Sequence, residues 1–272
     1  MNNQTIYCKE PLGERHGIPY FSTADFYVDN YEKISKDHMD VFEKEGKNPN
    51  IGEELWVKLE DSTAALLNKY TQPGEKILDV GVGLGRLLSR FDHLQRYGMD
   101  ISWDYLEHTK KTGIEVCFSR IEDMPYCKEF FDVITCTDVL EHVLDLNLAL
   151  TKILEVLKPG GILIVRVPYR ENLKLYLESY YPYRYAHLRN FDEYGLELLF
   201  TRVFNCQFLE AQTAGYLESF RSLKFMLPIP RWVRITEMIC SVSKALSSSL
   251  YNKVLRALYY PIDINVVVRK AG

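Results

Sequence analysis

The run Ile77-Leu78-Asp79-Val80-Gly81-Val82-Gly83-Leu84-Gly85-Arg86 constrains this chain more than any other stretch of it. Its first residues read as a buried strand, and three glycines at alternate positions read as a turn leading into a helix start. Glycine lacks a Cβ, so the backbone can turn sharply and approach a ligand closely, while a helix start offers unpaired N–H groups and a positive dipole end. The spacing then separates cofactor classes. A dinucleotide fingerprint has its third glycine where Arg86 stands, whereas this chain has an acid, Asp79, two residues before its first glycine. That favours a ligand carrying an ammonium over one carrying a pyrophosphate.

Further motifs follow in order. Tyr97-Gly98-Met99-Asp100-Ile101-Ser102 reads as a second strand ending in an acid 21 positions after Asp79, suited to a ribose diol. Phe131–Thr137 reads as a fourth strand, and Leu157–Val165 as a helix end, a Pro-Gly-Gly turn and a fifth strand. Together these motifs, spread over residues 77–168, resemble the class I S-adenosylmethionine-dependent methyltransferases, whose first motif looks like Asp79 through Gly85. The resemblance implies a doubly wound, Rossmann-like α/β fold, with a seven-stranded sheet that is mostly parallel and has an antiparallel last strand. It also implies S-adenosylmethionine as cofactor. On that basis Asp79, Gly81, Gly83 and Gly85 hold the methionine end, and Asp100 and Ile101 the ribose and adenine. Ile121 and Glu122 flank the adenine, and Cys136 and Thr137 line the methionine side. One departure stands out: Ser119-Arg120 occupies positions where family members often show Gly-Asp, so the base is expected to be read by backbone groups and apolar packing.

At 272 residues and 47% hydrophobic content the chain can bury a sizeable core. Helical patterns over Phe26–Glu43 and Glu53–Tyr70, joined by Gly46-Lys47-Asn48-Pro49-Asn50, define an N-terminal helical cap over residues 1–70. The methyltransferase-like domain is expected over 71–213 and 263–272, with a helix over Asp192–Phe204 and late strands at Cys206–Ala211 and Ile264–Arg269. Residues 214–262 form a helical insertion between strands six and seven. The six cysteines lack paired metal spacing and read as reduced core residues of a cytoplasmic protein. Met1 to Gly13 is polar and no apolar run approaches the ~20 residues of a spanning helix, so neither export by that route nor a membrane span is expected.

The net charge of −4 hides a local excess, since residues 220–260 carry seven basic side chains against Glu237. Phe220, Phe225, Trp232 and Ile235 are interleaved with them. Such a stretch suits a cap, a homodimer contact or a peripheral contact with an anionic membrane over 220–260, and Pro228 and Pro230 weigh against the last. The negative total charge and the lack of an RNA-binding module argue against nucleic acid.

Methyl transfer from a sulfonium asks mainly for alignment, but an oxygen acceptor also needs a base or a cation that stabilises the oxyanion. His142 closes Asp138-Val139-Leu140-Glu141-His142, directly after the fourth strand. On a helix Asp138, Glu141 and His142 would share one face, a spacing that also admits a divalent ion. The pentapeptide resembles the acid-x-x-Glu-His motif of ubiquinone-pathway O-methyltransferases, with Asp138 where they usually have glutamate. A metal is not favoured, because Leu-Glu-His-Val is common in the broader family without a metal role. In Tyr180–Phe191, His187 is a second candidate base, and Arg189 a candidate partner for a carboxylate or phosphate. The expected activity is S-adenosylmethionine-dependent methylation of a hydroxyl on a small molecule or glycan precursor. N-methylation and a non-catalytic binding protein of the same fold are the alternatives.

Overall fold

The computed structural model describes residues 6–48, 51–216 and 230–272, with the backbone alone over 230–234. Its strands are β1 (Gly13–Arg15), β2 (Ile18–Tyr20), β3 (Lys76–Val80), β4 (Gln95–Asp100), β5 (Glu115–Phe118), β6 (Phe131–Thr137), β7 (Leu157–Pro168), β8 (Gln207–Ala214) and β9 (Asp263–Arg269). They form one sheet in the order β1-β2-β5-β4-β3-β6-β7-β9-β8. Among the described residues the expected seven strands are therefore nine. The seven from β5 to β8 are the anticipated set, and the two extra ones are an N-terminal hairpin whose β2 lies parallel to β5. Within the seven, β9 alone is reversed: it pairs antiparallel with both β7 and β8, so β8 runs with the parallel strands.

Successive residues of a strand face opposite sides of a sheet, so the central strands supply two cores at once. Leu78, Ile134 and Leu163 enter one core, beneath α4 (Leu146–Val156). Ile77, Val133 and Ile162 enter the other, beneath α2 (Glu53–Tyr70) and α3 (Trp103–Lys110). Two crossovers hold no α-helix. After the glycine turn only a single 3₁₀ turn, Leu88–Arg90, precedes β4, and only Ile121–Asp123 lies between β5 and β6. The helix expected to start after Gly85 is thus absent, because the turn consumes much of a connection that needs about a dozen residues for a full crossover.

The N-terminal helices run close to their expected limits, α1 over Phe26–Glu45 and α2 over Glu53–Tyr70. Asp25 caps α1, its Oδ1 accepting from the N–H groups of Tyr27 and Val28. The segment before them is no helix but the β1–β2 hairpin. Here the cysteine expectation fails for one pair, since Cys8 and Cys127 are joined in a disulfide across 119 positions. A Tyr7–Tyr126 bridge and the Cys8 N–H to Pro125 carbonyl bond bring them together, which no spacing along the chain reveals. The remaining four cysteines are buried thiols outside any disulfide.

After β7 the chain forms α5 (Glu193–Leu198), which relaxes into a π turn over Leu199–Val203. The described part of the insertion is a hairpin of α6 (Pro230–Leu246) and α7 (Ser248–Leu258) around Cys240, Leu255 and Tyr259. The readings placed on Phe220 and Phe225 lie outside the described residues, as does the Trp232 side chain. Among the described residues, no helix is long and apolar enough to cross a membrane.

Candidate active site

A cavity of about 310 Å³ opens at the carboxyl ends of β3, β4 and β6, beneath α1 and α2. The glycine turn forms its floor. Gly83 has φ +51 and open space where a Cβ would stand, so it brings bare backbone to the cavity. Gly85, placed by sequence in the same role, does not line it. A Cβ there would meet Thr109 Cγ2 at 2.7 Å, so this glycine serves the packing of α3.

The two strand-end acids flank the turn. Asp100 Oδ2 accepts from the Gly83 N–H at 2.9 Å, and its Oδ1 from the N–H groups of Ile101 and Ser102. Asp79 Oδ1 accepts from the Thr135 hydroxyl at 2.7 Å. Burial dominates both and favours their neutral forms, raising Asp79 to about 7 and Asp100 to about 6 against the opposing hydrogen bonds. A cationic ligand beside Asp79 reverses that balance by stabilising the carboxylate.

Ile101, Ile121, Glu122 and Thr137 line the cavity, but Cys136 does not. In β6 the alternation brings Thr137 to the cavity and Thr135 beneath it onto Asp79, and sends Cys136 into the opposite core. The Ser119-Arg120 departure has a structural reason. Arg120 Nη1 donates to Asp25 Oδ2 at 2.6 Å, and its N–H donates to Ser22 Oγ, so this arginine latches the cap of α1 onto the loop after β5.

The roof is made of residues that motif reading missed. Tyr27, Tyr31, Ile34 and His38 of α1 face the cavity, with Trp56 and Glu60 of α2. Arg86 closes that side, its guanidinium 3.7 Å over the Trp56 ring and bonded to Glu53 and Glu60. The spacing of Tyr27, Tyr31, Ile34 and His38 by four, three and four was a readable signal for one helix face.

Residues 138–144 are not helical, so Asp138, Glu141 and His142 do not share a helix face as expected. Asp138 has φ +57 and turns to Arg166, a buried residue of β7 that also pairs with Asp263 at 3.3 Å. His142 lines the cavity instead, and its ring stands 4.6 Å from that of His187, edge to face. Burial and the neighbouring His187 hold His142 down to about 4, a neutral imidazole at physiological pH. His187 lies behind it, outside the cavity wall, with Nδ1 2.5 Å from Glu171 Oε2. Arg189 donates to the carbonyls of Leu140, Val143 and Leu144, so its guanidinium ties the Tyr-rich loop to the segment after β6. One ligand atom from each of Glu141, His142 and His187 lies within 4.8 Å of the others, a set that could hold a metal ion.

This strand order, glycine floor and pair of strand-end acids define a Rossmann-like methyltransferase domain, and residues 78–165 match the family described as a methyltransferase domain. Through this domain the chain is similar to the class I S-adenosylmethionine-dependent methyltransferases. The ubiquinone/menaquinone biosynthesis C-methyltransferase of Vibrio parahaemolyticus is 31% identical over 107 residues, covering 35% of this chain and 41% of that protein. The ubiquinone biosynthesis O-methyltransferase of Shewanella sp. strain ANA-3 is 30% identical over 115 residues, covering 39% and 48%. The chain thus spans less than half the length of these two relatives. Among solved structures, a methyltransferase from Thermotoga maritima superposes with a TM-score of 0.56 at 19% identity, over 90% of this chain and 99% of that one. Phosphoethanolamine N-methyltransferase 2 of Haemonchus contortus gives 0.55 at 16% identity, over 92% and 61%. These two likenesses concern the fold.

The family's cofactor is S-adenosylmethionine, and the residues present fit it. Gly83 offers a cradle that any Cβ would fill, and two desolvated carboxylates stand where a cation and a diol would go.

Proposed function

We propose that this chain transfers a methyl group from S-adenosylmethionine to a hydroxyl of a small molecule, a glycan precursor being within the same class. The observation that carries the reading is a single cavity shared by the glycine floor and by the Tyr27, Tyr31 and His142 wall. S-adenosylmethionine supplies a methyl group already activated on a sulfonium, which leaves the protein to align the acceptor and handle one proton. Asp79 holds the ammonium and Asp100 the ribose diol, while Ile101 and Ile121 enclose the base. Tyr27 and Tyr31 present phenols and ring faces to the acceptor. His142 donates from Nδ1 to the Ala186 carbonyl at 3.2 Å, which leaves Nε2 unprotonated and able to accept from an acceptor hydroxyl. The names of the Vibrio and Shewanella relatives, one a C- and one an O-methyltransferase, support a small carbon-ring or oxygen acceptor.

The α6–α7 hairpin is assigned a contact role, not a place in the site. Among the described residues none from 214–262 lines the cavity, and Met238, Val242 and Leu246 face solvent.

Calorimetric titration with S-adenosylmethionine, with NAD in parallel, is the first test. Micromolar binding of S-adenosylmethionine alone is expected, and its absence refutes the reading. Release of S-adenosylhomocysteine is then followed with phenolic, alcoholic and amine acceptors, and turnover confined to amines replaces O- with N-methylation.

A further inference from the structure

Glu141 is fully buried, and neither of its side-chain oxygens has a hydrogen-bond partner. A buried carboxyl left this way is costly whichever form it takes. Ionised, it lacks a hydrogen-bonded partner charge, and protonated, it still lacks an acceptor for its hydrogen. Natural interiors rarely leave such a group without a reason.

Two imidazoles face it, and each is held from behind. His142 Nδ1 donates to the Ala186 carbonyl, leaving Nε2 as the lone pair, 3.9 Å from Glu141 Oε1. His187 Nδ1 is bound by Glu171, whose other oxygen accepts from the Tyr176 hydroxyl at 2.6 Å. Nε2 is the nitrogen His187 has left to ligate. A carboxylate or carbonyl behind each histidine is the outer arrangement that fixes tautomer and orientation in metal centres. Nothing in the acid-x-x-Glu-His reading called for Glu171, Tyr176 or His187, and the acid of that reading, Asp138, is taken by Arg166.

We infer that Glu141, His142 and His187 form a site for a divalent first-row transition ion, with Glu171 and the Ala186 carbonyl as its outer supports. Two imidazoles and one carboxylate suit zinc, iron, cobalt or manganese and disfavour magnesium and calcium, which take oxygen ligands. Two ligand atoms each ~2.1 Å from one ion stand roughly 3–3.4 Å apart, so the 3.9 Å between Glu141 Oε1 and His142 Nε2 closes with a movement below ~1 Å. His142 belongs both to this set and to the cavity wall, so an ion here borders the acceptor chamber; it would occupy Nε2 and replace His142 as base, lowering the pKa of an acceptor hydroxyl instead. That role rests on the methyl-transfer reading, while the site itself does not.

The test is titration of the chelator-treated full chain with Co²⁺, read by visible ligand-field absorption and by calorimetry, with Mg²⁺ as control. One Co²⁺ per chain is expected, with no comparable heat from Mg²⁺. His187→Ala and Glu141→Gln should each weaken Co²⁺ binding by about 100-fold or more, and Glu171→Gln by about 10–100-fold with the absorption bands retained. S-adenosylmethionine binding and the melting temperature, measured on the same variants, report whether each has folded. A folded H187A chain that binds Co²⁺ as the parent does overturns the assignment, as does a parent chain that takes up no Co²⁺. A chain that binds Co²⁺ but not S-adenosylmethionine keeps the site and removes the proposed reaction.

Discussion

Gly83 and Gly85 stand two residues apart in one turn yet answer to different neighbours. Both have positive φ, so alanine at either costs roughly 1 kcal/mol in backbone strain. At Gly85 the added methyl also strikes Thr109, and overpacking adds about 1–3 kcal/mol. Gly85→Ala is therefore expected to lower the melting temperature well beyond Gly83→Ala, while Gly83→Ala loses more affinity for S-adenosylmethionine. Calorimetry and thermal melting on the two variants separate these effects, and equal affinity losses would refute the division. The same lesson applies to Cys136 and Thr137. The end of a strand was legible as a ligand wall, but only the register against Asp79 says which of two neighbours faces the ligand.

At the scale of elements, α1 depends on a latch of two side chains. Asp25 caps the helix with one oxygen and takes the Arg120 guanidinium with the other. Asp25→Ala should cost about 1 kcal/mol of helix stability and speed hydrogen exchange in the first turns of α1. It should also weaken cofactor binding without touching the cavity, and exchange rates identical to the parent's would sink the idea. The limits of α1, α2, β3, β4 and β6 were legible because each announces itself locally, through a 3.6-residue or a continuous apolar pattern with caps or glycines at its ends. The β1–β2 hairpin was not, because strands of three residues carry no periodicity, and their place beside β5 is a long-range pairing. The turn at 138–144 was missed for a related reason. Its helix-like spacing is overridden by the Asp138–Arg166 pair, made with a strand 28 positions away.

For the whole molecule two measurements follow. Asp79, Asp100 and Asp263 all titrate higher in the folded chain than in the unfolded one, near 7, 6 and 7, burial being the largest cause in each. Their contribution to stability is complete below the unfolded carboxylate range and is lost as pH rises through 6 to 7. His38 and His142, both held low, oppose this only below about 6.5. The melting temperature of the free chain should therefore fall between pH 6.5 and 7.5, whereas affinity for S-adenosylmethionine should rise as Asp79 ionises. Parallel trends in the two would contradict the assignment of Asp79. Reduction of Cys8–Cys127, which closes a loop of 119 positions, should lower unfolding stability by about 4–5 kcal/mol, measured by denaturant titration with and without reductant. The roof over the cavity has a wider consequence. Tyr27, Tyr31 and His38 sit on the same helix that Arg120 ties to the loop after β5, so under the proposed function donor and acceptor both press on α1. Whatever shift of that helix admits one ligand reshapes the pocket of the other. Each ligand must then change the other's dissociation constant by the same factor, a reciprocity that paired titrations can read directly.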